Sequence, residues 1–240
     1  MYCSYLQIYN EKIFDLLNPA QLINANSNKP NAGLRLRWTA KDQFTVENLF
    51  VFECKSADEV LGLFHQGIKN KMMASHKLNL TSSRSHCILS LRVESVDSKT
   101  SEGLISSKLD LVDLAGSERT SMTGNESQMA QKESIEINKS LFTLRQVIST
   151  LSDAQKLTSD KKKDKLYAPF RDSKLTSLLK QSIGGNSFCL MIACLSPADR
   201  YFEENLSTLT YATKAAYISN EPHKNEDPKT RLISTLKVSF

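Results

Sequence analysis

Residues Leu109–Arg119 read LDLVDLAGSER, an apolar run closed by an acid, then a small-residue turn and a charged pair. An aspartate, Asp113, stands where the hydrophobic strand stops, and a glycine, Gly116, follows three residues later. In an α/β sheet the carboxyl ends of strands form the ligand crevice. A carboxylate there can hold a hydrated Mg²⁺, an ion that prefers one or two carboxylates together with water and phosphate oxygens. Glycine at 116 lets the backbone N–H come close to a terminal phosphate. DxxG after a buried strand is thus a candidate sensor of phosphate and magnesium. An acid that merely caps a loop fits the same eleven residues.

Outward from this strand the chain alternates strands with helices, the pattern of an α/β fold with a mainly parallel or mixed sheet. YCSYLQIY (2–9) reads as a strand, and Asn10 as the cap of a short helix EKIFDLL. LRLRW and FTVENLFVF alternate like strands. Ser56-Ala57-Asp58-Glu59 matches a capping box, opening a helix to about Met73. CILSLRVESV precedes the opening strand, Thr120–Glu133 is polar, and Ile135–Leu151 has helical apolar spacing. Pro169 starts a helix through Lys180 that Gly184-Gly185 ends. SFCLMIACLS reads as a fully buried strand, and Glu203–Ile218 as a last helix.

Composition narrows the classes. The 240 residues are 40% hydrophobic and 24% charged, enough for a substantial core. A net charge of +5 is mildly basic, and no finger, RNA-binding or basic-helix signature points to nucleic acid. Neither a bilayer-spanning run nor a signal-peptide pattern is present, so no membrane partner is expected. The five cysteines show no CxxC spacing and mostly sit in apolar runs, where Cys packs as a small hydrophobe; a reducing intracellular compartment is the expectation.

A second polar motif, NLTSSRSH (Asn79–His86), sets two hydroxyls, Ser82 and Ser83, beside Arg84. Hydroxyls can ligate Mg²⁺ or position water, and an arginine can fork onto a carboxylate. NxxSSRSH followed by DLAGSE resembles the pair of nucleotide switches of the kinesin motor family, in that family's order. SYLQIYNEKIFDLL, INKSLFTLRQVISTL, PFRDSKLTSLLKQSIGGN and NLSTLTYATKAA are similar to further kinesin segments, so the resemblance runs from about Cys3 to Ile218. It implies a P-loop NTPase-like motor fold, three layers around a central mixed sheet, with ATP and Mg²⁺ as ligands. Asn79 would begin the first switch, with Ser83 ligating magnesium and Ser82 near the attacking water. Asp113 would hold the metal through water, Gly116 would sense the γ-phosphate, and Arg84 would pair with Glu118 to close the switches.

The resemblance also implies a microtubule partner and a place on the microtubule cytoskeleton. The segments that face the microtubule in kinesins supply Asn138, Lys139, Arg171, Lys174 and Lys180 here, and the loop between them adds Lys161, Lys162, Lys163 and Lys165. ISNEPHKNEDPKTRLI resembles the neck linker of kinesins with an N-terminal motor, which implies plus-end movement. Residues 1–219 are expected to form a partial motor domain and 220–240 a neck-linker-like segment. The family's phosphate-cradling loop, GxxxxGK[ST], belongs ahead of SYLQIYNE and finds no match in these residues; GLFHQGIK (Gly62–Lys69) has Ile where the lysine should stand. Without that loop and its strand, LDLVDL and SFCLMIACLS are expected to lose a common neighbour and expose unpaired edges. ATP turnover by this chain alone is not expected. A tubulin-binding form that does not hydrolyse ATP and a nucleotide-independent interaction domain stand as alternatives.

Overall fold

The computed structural model describes residues 1–18, 33–39, 43–78, 84–96, 104–116, 128–155 and 167–225. The first strand, β1 (Tyr2–Tyr9), has six consecutive buried residues and lies in the middle of the main sheet. It turns back into β2 (Lys12–Asp15) through Asn10 and Glu11, whose φ values of 50° and 52° are both left-handed. Two such residues between paired Tyr9 and Lys12 make a type I′ hairpin. EKIFDLL is therefore a strand and a turn, not the helix its short apolar pattern predicts. Burial alternates along it, with Ile13 and Asp15 inward.

A small second sheet pairs β3 (Leu36–Thr39) with β4 (Gln43–Val46), and β5 (Phe52–Glu53) joins the edge of β1. Helix α1 (Ala57–Leu78) starts at the predicted capping box: the Glu59 amide donates to Ser56 Oγ at 3.2 Å, and Glu59 Oε2 accepts from the Lys55 amide at 2.8 Å. The helix runs about a turn beyond Met73. GLFHQGIK lies inside it, and Gly67 is there for packing: a Cβ at that position would stand 2.2 Å from Tyr5 Cδ1. Strands β6 (His86–Val96) and β7 (Leu104–Asp113) extend the main sheet to the order β2-β1-β6-β7.

Every pairing among the described residues is antiparallel, in place of the mainly parallel or mixed sheet that alternation predicts. The β1–β2 and β3–β4 hairpins impose this through short turns, whereas β5 and β6 run antiparallel to β1 after long connections. Helix α2 (Gln128–Gln155) begins within the stretch that looked only polar. A 3₁₀ turn (Phe170–Asp172) and a short helix α3 (Lys174–Leu178) replace the single helix predicted from Pro169, because extended Ser173 interrupts it and caps α3. Helix α4 covers Phe202–Ala216. No helix among the described residues is long and apolar enough to cross a membrane.

Three layers result. On one face of the sheet Cys3, Tyr5, Cys87 and Leu89 pack with Cys54 and with Val60, Leu63 and Phe64 of α1. On the other, Leu6, Ile8, Ile13 and Ile88 pack with Leu144 and Ile148 of α2, Leu175 of α3 and Tyr211 of α4. Period-two alternation along β1 sends odd-numbered side chains to α1 and even-numbered ones to α2 and α3. Asp15 anchors the corner: its carboxylate accepts from the Leu17 amide at 2.8 Å and the Phe50 amide at 2.7 Å. Burial raises its pKa and these amides oppose the rise.

The rim differs. Phe188, Leu190 and Ile192 are 91%, 87% and 79% exposed, and their segment pairs with no strand among the described residues. SFCLMIACLS is thus not a buried strand. Among the described strands β7 pairs with β6 alone. An apolar run becomes a core strand only where another strand supplies its hydrogen bonds.

Candidate nucleotide-sensing site and partner surface

The antiparallel register of β6 and β7 sets Cys87 opposite Asp113, so Arg84–His86 and Leu114–Gly116 share one end of the sheet. The two motifs, distant in sequence, converge there. Gln7 of β1 lies opposite Cys87 on the other side of β6. Its side-chain amide donates to Ser85 Oγ at 2.8 Å, and both residues are buried.

His86 joins three elements. The Ala115 amide donates to its Nδ1 at 2.9 Å, and its Nε2 lies 2.8 Å from Ser140 Oγ on α2. Burial lowers the His86 pKa to about 4, so the ring is neutral at pH 7. Since Nδ1 accepts, the proton sits on Nε2 and is donated to Ser140. One buried imidazole thereby fixes the residue before Gly116 and ties it to the helix that carries Asn138 and Lys139. Sequence reading missed His86, Ser140 and Gln7. The visible signals were a histidine at the head of an apolar strand and a glutamine inside another.

Asp113 ends β7 with its side chain 79% exposed, and Lys71 Nζ of α1, itself only 14% exposed, lies 3.9 Å from Oδ2. Beneath them burial pushes the Tyr5 phenol and the Cys87 thiol upward in pKa. Gly116 and Arg84 are half-buried at the same end. Asn79, Ser82, Ser83 and Glu118 lie outside the described residues. Among those described, no three His, Cys, Asp or Glu side chains gather into a metal site. One exposed carboxylate that already faces an ammonium, with one glycine amide, does not by itself fit Mg²⁺-ATP.

A second cluster forms on the α2–α3 side. Lys139 is exposed on α2 and Asn138 precedes it on the same helix. Arg171 lies in the 3₁₀ turn, Lys174 opens α3 and Lys180 follows it, and α2 packs against both the turn and α3. The turn is tied to α3 because Thr176 and Ser177 hydroxyls donate to the Phe170 carbonyl at 2.8 and 2.9 Å. Glu11 caps the same helix, accepting from Ser173 Oγ at 3.1 Å and the Lys174 amide at 2.8 Å. Lys161, Lys162, Lys163 and Lys165 lie outside the described residues.

A sequence model of the kinesin motor domain matches residues 1–218. The chain belongs to the kinesin motor domain family. Its relatives include the chromosome-associated kinesin KIF4 of Xenopus laevis, 42% identical over 235 residues that make 98% of this chain and 18% of that protein. Kinesin-related protein 1 of Dictyostelium discoideum is 45% identical over 237 residues, 98% of this chain and 10% of that protein. Among solved structures, a KIF14 dimer with AMP-PNP in complex with a microtubule superposes with a TM-score of 0.80 at 38% identity, covering 98% of this chain and 63% of that one. A fast kinesin gives 0.79 at 33% identity, covering 95% and 58%. The chain thus spans under a fifth of these curated relatives and about three fifths of the solved motors.

The described residues that follow α4 are held in place. Asn220 accepts from the Gly184 amide at 2.7 Å and donates to the Ser182 and Ser187 carbonyls at 2.9 and 2.8 Å. Gly184 has φ +74°, the left-handed value that glycine accepts without strain. The Glu221 amide donates to the Gly185 carbonyl at 3.0 Å, and the Asn225 carbonyl accepts from the Ser106 amide of β7 at 3.1 Å.

Proposed function

We propose that this chain is the tubulin-facing part of a kinesin-type microtubule motor, whose switch residues answer to ATP and Mg²⁺ when a phosphate cradle is supplied alongside them. One observation carries the reading: α2 bears exposed Lys139 and, through the next residue Ser140 and His86, holds the turn before Gly116. A shift of that turn has a direct mechanical route to the partner surface. In this reading Lys139, Arg171, Lys174 and Lys180, with Lys161, Lys162, Lys163 and Lys165, meet acidic tubulin, and Asn138 lies among them. Ser83 and Asp113 serve the metal, Ser82 the water, Gly116 the γ-phosphate, and Arg84 pairs with Glu118. The segment beyond residue 219 acts as the neck linker, and the protein works on the microtubule cytoskeleton.

The test is co-sedimentation of the 240-residue chain with stabilised microtubules across a salt series. Binding that weakens steeply as salt rises is expected, because the Debye length is about 8 Å at physiological ionic strength. No pelleting at low salt overturns the reading. The chain alone should show no microtubule-stimulated ATPase, and turnover abolished by Asp113→Asn would contradict that part. The second reading, a nucleotide-independent tubulin-binding module, rests on the Arg171 and Lys180 cations, whose placement beside Trp38 involves none of the switch residues. Binding that ignores added ATP in a chain extended through that loop would select it.

A further inference from the structure

Trp38 is the single tryptophan of the chain. It lies on β3, remote in sequence from every residue assigned above, yet two of the assigned cations stack on it. The Arg171 guanidinium carbon lies 5.1 Å from its ring centroid and the Lys180 ammonium 4.3 Å. The ring is braced by Phe44 across the hairpin, centroid to centroid 4.6 Å in an edge-to-face arrangement. Leu36 and Val46, on the same face of the hairpin, pack against the cluster that contains Leu175 and Leu179. The β3–β4 hairpin is thereby fastened to α3, with the indole beside the cations that flank that helix.

We propose that Trp38 is a positioning residue of the cationic surface, holding Arg171 and Lys180 as one preformed patch for the acidic face of tubulin. The proposal rests on the microtubule-binding reading above. A cation over an aromatic face keeps its outward side for a carboxylate and gives up rotamer freedom before the partner arrives, which favours association. Among the described residues, Glu47 pairs with Arg37 on the hairpin and Glu11 is occupied at the start of α3.

Trp38 also supplies the measurement, since all tryptophan emission comes from this residue. In the free chain, Lys180→Ala and Arg171→Ala should each change that emission. In co-sedimentation at fixed salt, Trp38→Ala should weaken microtubule binding about five- to tenfold and Trp38→Phe, which keeps a ring, by less. Trp38→Ala should add little on the Arg171→Ala/Lys180→Ala background, because the cations it positions are already gone. Emission indifferent to both cation variants would overturn the stacking. Full-strength binding by Trp38→Ala, or a loss that simply adds to the cation losses, would overturn the positioning role. Failure of the unaltered chain to pellet would sink the microtubule reading and this role together, and the emission arm would show separately whether the stack exists.

Discussion

Strands β1 and β7 are both rich in apolar residues, yet they meet opposite fates. β1 has helices over both faces and ladder partners on both edges, β2 and β5 on one and β6 on the other. β7 pairs with β6 alone, and its second edge receives the single described bond from Ser106 to the Asn225 carbonyl. Leu109 and Leu111 stay about half exposed. The same kind of residue run therefore makes core in one place and a solvent-facing rim in the other. What decides is the neighbour, not the run.

The contrast can be broken most forcefully at Leu175, fully buried between α3 and the sheet. Leu175→Ala should cost about 2–5 kcal/mol of unfolding free energy, while Phe188→Ala on the rim should stay within about 0.5 kcal/mol. Urea titrations of the two variants compare them directly, and equal losses would mean that the rim is packed after all.

A smaller effect is expected from the buried imidazole. Its folded pKa of about 4 lies below the ordinary 6.5, so its stabilisation is complete above pH 6.5 and is lost as pH falls toward 4. Between pH 7 and pH 5 the chain should lose about 2 kcal/mol through this group. His86→Gln should flatten that slope. An unchanged slope in the variant would place the acid sensitivity elsewhere.

Ile192→Lys should leave stability nearly untouched but reduce concentration-dependent association, since an exposed apolar segment invites contact with a second copy. Sedimentation velocity over a concentration series reads this. Unaltered association would show that the rim is not where copies meet.

The motifs that meet at the end of β6 and β7 stand out in the sequence because their signals are local. The DxxG turn, the hydroxyl-arginine motif and the capping box at Ser56 each need only a few adjacent residues. EKIFDLL misled because four apolar residues in seven fit either period; the deciding fact was the left-handed pair Asn10 and Glu11 before it. SFCLMIACLS misled because its pattern assumes a neighbour the run cannot itself supply. The Gln7–Ser85 and His86–Ser140 bonds span 78 and 54 residues, beyond the reach of any local period. The Trp38 stack is hidden for the same reason.

Asn220 gives the molecule a load path. Tension entering along the chain from beyond Asn225 reaches the bonds at Asn225 and Glu221, then the three at Asn220, before it can unwind α4. The turn at Gly184–Ser187 thus acts as a cleat, which sets how much force the helix behind it feels and in what order the anchors let go.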